Sequence, residues 1–181
     1  MRFALVIGHE RAKQGAASPR TGLTEWHYNR SLVAVVAGLL QQAGHDPVMV
    51  AREAAGSYSK LPGYVNALDA DLVVSFHLNS NADHSAHGSE VLYAWGSSKG
   101  APLAEVLLDA IVGALGTRRR RTIGLKAGDR GATLLLKTAA PAVLLEPGFV
   151  SNEADEDKLT RLKQGYAEAV ATALIDWAAV A

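Results

Sequence analysis

Four side chains in this sequence of 181 residues have the types and placement to do chemistry together: His9, Glu25, His77 and Glu146. His9 closes the apolar run RFALVIGH and His77 closes DLVVSFH, while Glu146 ends PAVLLE. Glu25 opens a segment with helical spacing. Side chains at the carboxyl ends of strands face the crevice in which open α/β sheets bind ligands. Two neutral imidazoles and one carboxylate form a ligand set for catalytic zinc with one position left to water, and a further carboxylate can shuttle protons. Taken singly, each residue has a plainer reading. A lone strand-end histidine is more often a hydrogen-bonded structural residue. Glu25 alone suits a first helical turn, where the dipole favours an acid. Glu146 is harder to set aside, because a carboxylate at the end of a buried strand needs a partner or a function. Only their common placement points to metal.

The elements that must position these groups alternate along the chain. Short runs rich in β-branched residues at 2–9, 46–51, 71–77, 89–95 and 141–148, bounded by Gly, Pro, Asn or Asp, predict buried strands. From Thr24 to Ala43 the residues Trp26, Asn29, Val33, Val36, Leu40 and Ala43 recur at helical steps, with Thr24 as a candidate N-cap and Gly44 as the stop. A second helix is predicted over 99–115, with Leu103, Val106, Leu107, Ala110, Ile111 and Ala114 on one side. A terminal helix is predicted over 154–179, with Leu159, Leu162, Tyr166, Val170, Leu174 and Trp177 inward. This alternation predicts an α/β fold: one layered domain over 1–181, its central sheet mostly parallel or mixed and flanked by helices. Two polar loops, 10–22 and 78–88, are longer than connection alone requires, and 116–131 reads as a third polar stretch.

Composition narrows the function further. There are no cysteines, so thiol nucleophiles, disulfides and thiolate metal sites are excluded. Lys+Arg and Asp+Glu are both 18, which removes the basic surplus that nucleic-acid and anionic-membrane binders carry. The run Arg118 to Arg121 has no interleaved aromatics and reads as a solvated loop. His84 and His87 read as exposed loop residues, and His27 as lying on another helix face from Glu25. The serines near His77 lack a nucleophile-elbow context. The first apolar run is too short for a signal peptide or membrane span. The expectation is a chain that is cytoplasmic as synthesised, monomeric and not stably bound to membrane or nucleic acid.

The residues also carry a resemblance. Across VIGHE (6–10), TEWHYNRSL (24–32), SFHLNS (75–80), HGSEVLYAW (87–95) and PAVLLEPGFVSNEADEDKL (141–159), the chain resembles the zinc-dependent N-acetylmuramoyl-L-alanine amidases of the Amidase_3 type. SFHLNS is close to that family's Ser-x-His-x-Asn pattern, and LLEPGFVSNEADE to its Glu-x-Gly-Phe-x-Ser-Asn segment. Glu25 and Asn29 match its Glu-x-x-x-Asn helix start. Of the family's usual Asp-Pro-Gly-His-Gly-Gly opening only Gly8 and His9 remain, and Pro147 stands where an apolar residue is usual after the glutamate. The resemblance implies Zn2+ held by His9, Glu25 and His77, with Glu146 as catalytic acid/base. It implies peptidoglycan as substrate, cut at the amide between the lactyl group of N-acetylmuramic acid and L-alanine. The expected setting is that of a phage or prophage endolysin, reaching the wall after release by a separate membrane-permeabilising protein. Two alternatives are a zinc peptidase cutting within the stem peptide and a non-catalytic peptidoglycan-binding module.

Overall fold

Leu72–Phe76 is buried at every residue, and Arg2–Ile7 at every residue but the first. Strands hydrophobic on both faces belong in the middle of a sheet covered on both sides. The computed structural model, which describes residues 1–180, puts them there. Six strands, β1 (Arg2–Ile7), β2 (Asp46–Ala51), β3 (Leu72–Phe76), β4 (Ser89–Ala94), β5 (Arg119–Leu125) and β6 (Ala142–Glu146), form one sheet in the order β2-β1-β3-β6-β4-β5. Pairing is parallel except between β4 and β6, which run antiparallel. The sheet is therefore mixed, as the sequence predicts.

The period-two alternation of β1 sorts the core into two layers. Phe3, Leu5 and Ile7 join the larger cluster, beneath helices α1 (Glu25–Gln42), α3 (Gly100–Leu115) and α6 (Lys163–Val180). Ala4 and Val6 join the smaller one, with Leu61 and Val65 of α2 (Leu61–Asn66) and Leu134 and Leu135 of α4 (Ala132–Lys137). Three long helices cover one face; two helices of 6 residues only partly cover the other.

Five expectations need correction. The polar stretch 116–131 contains β5, an edge strand parallel to β4 whose arginines are held by acids: Arg119 by Glu105 and Asp109, Arg120 by Glu90. Paired charge on an edge strand hides its β character from hydrophobicity and also blunts the edge against pairing with other chains. The terminal helix is two helices, α5 (Glu153–Arg161) and α6, broken at Leu162, which is 41% exposed. Val106 is likewise 41% exposed, and Leu108 is buried in its place. Ala43 lies in the exposed turn after α1. Thr24 stands at the N-cap position with extended backbone, but its hydroxyl donates to Gln14 Oε1 at 2.9 Å instead of capping the helix.

Candidate metal centre

From β1 the chain crosses to β2 on one side and returns through β3 on the other, so the β1/β3 boundary is a topological switch point. His9 and His77 leave the carboxyl ends of those two adjacent strands. Ile7 is paired with Phe76, and the ladder extends one step through Gly8 N–H donating to Phe76 O at 2.9 Å. Phe76 is paired with Leu145, which brings Glu146 alongside His77 at the same edge. Glu25 enters from the first turn of α1.

The arrangement centres on Glu25, which is 2% exposed. His77 Nδ1 lies 2.8 Å from Glu25 Oε1, and His9 Nε2 lies 3.2 Å from Oε2. Backbone amides complete the cradle, Leu78 N–H donating to Oε1 at 3.1 Å and Ala16 N–H to Oε2 at 3.0 Å. Burial pushes the Glu25 carboxyl up, but hydrogen bonds and positive charge from His77 and His9 outweigh it and bring the pKa down to about 2. One donor atom from each of the three residues lies within 4.8 Å of the others, and this is the one such cluster found among the described residues. His84 and His27 are exposed and His87 half-buried, outside the cluster as the sequence predicts.

The backbone here is shaped for the site. His9 has φ 65°, left-handed and uncommon for a residue with a side chain, a form of strain found at functional positions. A Cβ on Gly8 would lie 2.8 Å from the His77 ring, and one on Gly15 would lie 2.6 Å from His9 Cδ2. Gly15 also has φ +77°. Both glycines let backbone pass against the ligand side chains.

Glu146 sits in the same cleft of about 680 Å³, where its Oε2 is buried without a hydrogen-bond partner. Burial pushes its carboxyl well above the usual range, the charges of Glu25 and Glu90 add to the rise, and Arg130 opposes it. Glu90 is opposite Glu146 across the β4/β6 ladder. It is neutralised by Arg120 Nε at 2.7 Å and accepts from Asn79 Nδ2 at 3.2 Å.

Sequence reasoning missed Glu90, although a charged residue inside the apolar run of β4 was a usable signal. It also missed Gly15, Arg52, Arg130 and Asp155. Asp155 is buried and its Oδ2 accepts from Gly88 N–H at 2.7 Å and Phe149 N–H at 3.0 Å, pinning the loops after β3 and β6 together. The loop 10–22 is fixed from α5: Arg20 pairs with Glu156 at 2.8 Å and Asp157 at 2.5 Å, and Thr21 Oγ1 donates to Glu156. Asn29 and Ser75 are buried with side-chain polar atoms unpartnered.

The structure is thus a mixed α/β sheet with two histidines and a carboxylate at its switch point, a group that could hold a metal ion, and a buried unpaired carboxyl in the same cleft. Residues 4–176 match the family model Amidase_3, N-acetylmuramoyl-L-alanine amidase, and the chain belongs to that family. It is 31% identical over 158 residues to the N-acetylmuramoyl-L-alanine amidase LytC of Bacillus subtilis, an alignment covering 84% of this chain and 30% of LytC. The chain thus spans about a third of that relative's length. Among solved structures, the catalytic domain of the amidase CwlV from Bacillus (Paenibacillus) polymyxa superposes with a TM-score of 0.85 at 22% identity over 99% of both chains. The catalytic domain of the CD27L endolysin targeting Clostridia difficile does so at 0.80 and 25% identity over 97% of both. The CwlV likeness shows the shared fold.

Proposed function

We propose that the chain hydrolyses the amide joining the lactyl group of N-acetylmuramic acid to L-alanine in peptidoglycan, with zinc held by His9, Glu25 and His77. The observation that carries this reading is Glu146: a buried carboxyl with an unpartnered oxygen, in the cleft that contains the three-ligand cluster. Family membership supports the choice of bond.

The donor set fits the metal. Two imidazole nitrogens and a carboxylate already drawn together suit zinc without the thiolates this chain lacks. A divalent ion bound there supplies Lewis acidity to the amide carbonyl and lowers the pKa of a water. The backbone amides of Ala16 and Leu78 orient Glu25, the kind of support that outer partners give to metal ligands. Glu146 takes the proton of the attacking water at its carboxylate and returns it to the leaving amine, a role suited to a carboxyl that burial pushes above the usual carboxylate range. Arg120 keeps Glu90 neutralised, so that Glu146 does not face an unpaired charge across the ladder. The likeness to an endolysin catalytic domain supports a wall-lysing role.

The test is mass spectrometry of purified peptidoglycan digested with the protein, with and without a zinc chelator. Stem peptides with a free L-alanine amine, lost on chelation and restored by zinc, are the expected products. Fragments cut elsewhere would establish a peptidase instead. No zinc-dependent product on several wall types would overturn the enzymatic reading in favour of a binding module.

A further inference from the structure

The cleft has a second wall, built of parts the hydrolytic chemistry leaves unused. Arg52 follows the last residue of β2, and Ala51 is paired with Ile7, so Arg52 stands one strand away from Gly8 and His9 at the same sheet edge. Its guanidinium stacks over the Tyr58 ring at 4.7 Å, and its Nε is buried without a hydrogen-bond partner. Tyr58 Oη donates to Gly131 O at 3.2 Å, tying this wall to the turn that presents Arg130. That turn is ordered by Lys126 N–H donating to Asp129 Oδ2 at 2.7 Å. Arg52 and Arg130 line the same cleft as Glu25, Glu90 and Glu146. Neither forms an ion pair among the described residues. Two of the acids have other partners, Glu25 the histidines and Glu90 Arg120, and Glu146 makes no ion pair with either arginine.

Two guanidiniums lining one concave site, one of them 4.7 Å over an aromatic ring, offer the forked donors that bind a carboxylate. We infer that Arg52 and Arg130 form an anion subsite that takes a free carboxylate of the substrate and so sets both its register in the cleft and the enzyme's preference among stem peptides. This rests on the amidase reading above. In that substrate the sugar's own carboxyl is consumed in the scissile amide, so the remaining carboxylates lie on the peptide side. The subsite would therefore hold the peptide product's half, opposite the sugar.

The test uses the zinc-loaded protein and two probes, N-acetylmuramoyl-L-alanyl-D-glutamate and the same molecule with both glutamyl carboxylates converted to amides. The wild type should prefer the carboxylate form by about tenfold or more in kcat/KM, the scale of charge-assisted hydrogen bonds. Arg52→Gln should lose most of that preference by slowing the acid probe more than the diamide; Arg130→Gln, which also removes a charge acting on Glu146, should slow both probes but the acid probe more, and Arg130→Lys should retain part of the preference as a point charge. Calorimetry of L-alanyl-D-glutamate and its diamide with zinc-loaded Glu146→Gln, alone and combined with Arg130→Gln, reads the subsite without turnover. Weaker binding of the acid but not the diamide on loss of Arg130 supports it, even if neither probe is hydrolysed, an outcome that would defeat the amidase reading alone. Equal losses for both probes, or no discrimination between the acid and the diamide in binding by Glu146→Gln, would overturn the subsite.

Discussion

Replacing Gly15 by alanine tests whether the loop 10–22 builds the metal centre or merely passes it, and the chain contains its own control. Gly15 and Gly22 share that loop and nearly the same backbone, φ +77° and +75°. A Cβ at Gly22 meets nothing within 4 Å, whereas one at Gly15 lies 2.6 Å from His9 Cδ2 and also crowds Glu25 Oε2. Gly22→Ala therefore isolates the left-handed backbone cost, roughly 1–2 kcal/mol. In a domain of this size that corresponds to a fall in Tm of a few degrees, by about 2–4 °C per kcal/mol. Gly15→Ala bears the same cost and must also restore ordinary contact, which begins at 3.4 Å, by moving the His9 ring or the loop by about 0.8 Å. Metal–ligand distances tolerate about 0.2 Å. Zinc affinity should thus fall about tenfold or more, on the scale seen when the surroundings of a ligand are disturbed. The assay is competition of each variant against a fluorescent zinc chelator, with thermal melts of the metal-free and zinc-loaded forms. Zinc should raise the Tm of Gly22→Ala as much as that of the wild type, and that of Gly15→Ala much less. Equal zinc affinity in the two variants would refute the reasoning.

Glu146→Gln should bind zinc normally while kcat falls by about 10²-fold or more, the scale of general acid–base catalysis, as read in single-turnover hydrolysis of a muramyl peptide. The same variant carries a pH signature in the metal-free protein. The folded pKa of Glu146 lies above its unfolded value, so the folded state binds more protons, and stability present below about pH 4.5 is lost as pH rises through the folded pKa. The wild-type urea midpoint should consequently fall relative to that of Glu146→Gln across this window; parallel midpoints would contradict the assigned burial. Arg120→Ala strands Glu90 beside Glu146 and should destabilise by on the order of 2 kcal/mol, between the values for exposed and buried pairs. Adding Glu90→Gln should recover a good part of that loss in chemical denaturation, and a purely additive double variant would rule the pair out as the cause.

What could be read from the sequence followed apolar periodicity. The strands ending at His9, His77 and Glu146 and the helix opening at Glu25 all bury continuous or regularly spaced hydrophobic residues, so their ends, where the site lies, were legible. β5 was not, because Arg119, Arg120 and Arg121 pair or face solvent at an edge and show no apolar period. The helices α2 and α4 have only 6 residues each, less than two full turns of pattern. The break at Leu162 carries no Gly or Pro to announce it. Gly15 and Arg130 belong to loops and Arg52 to a 3-10 turn of four residues, where position comes from tertiary contact and no spacing rule places a side chain in a cleft.

The clamp that Arg20 and Thr21 make with Glu156 and Asp157 spans more than 130 residues of sequence. During synthesis the three ligands, all within the first 77 residues, are made long before the acids that tether the loop carrying Gly15. β6, the strand that flanks β3 and delivers Glu146, is also made late. A growing chain thus holds every donor for a metal before it holds the frame that gives those donors their geometry. Assembly of the centre should therefore wait for α5, and a chain truncated before α5 would have the candidate donors His9, Glu25 and His77 but not the vice that closes on them.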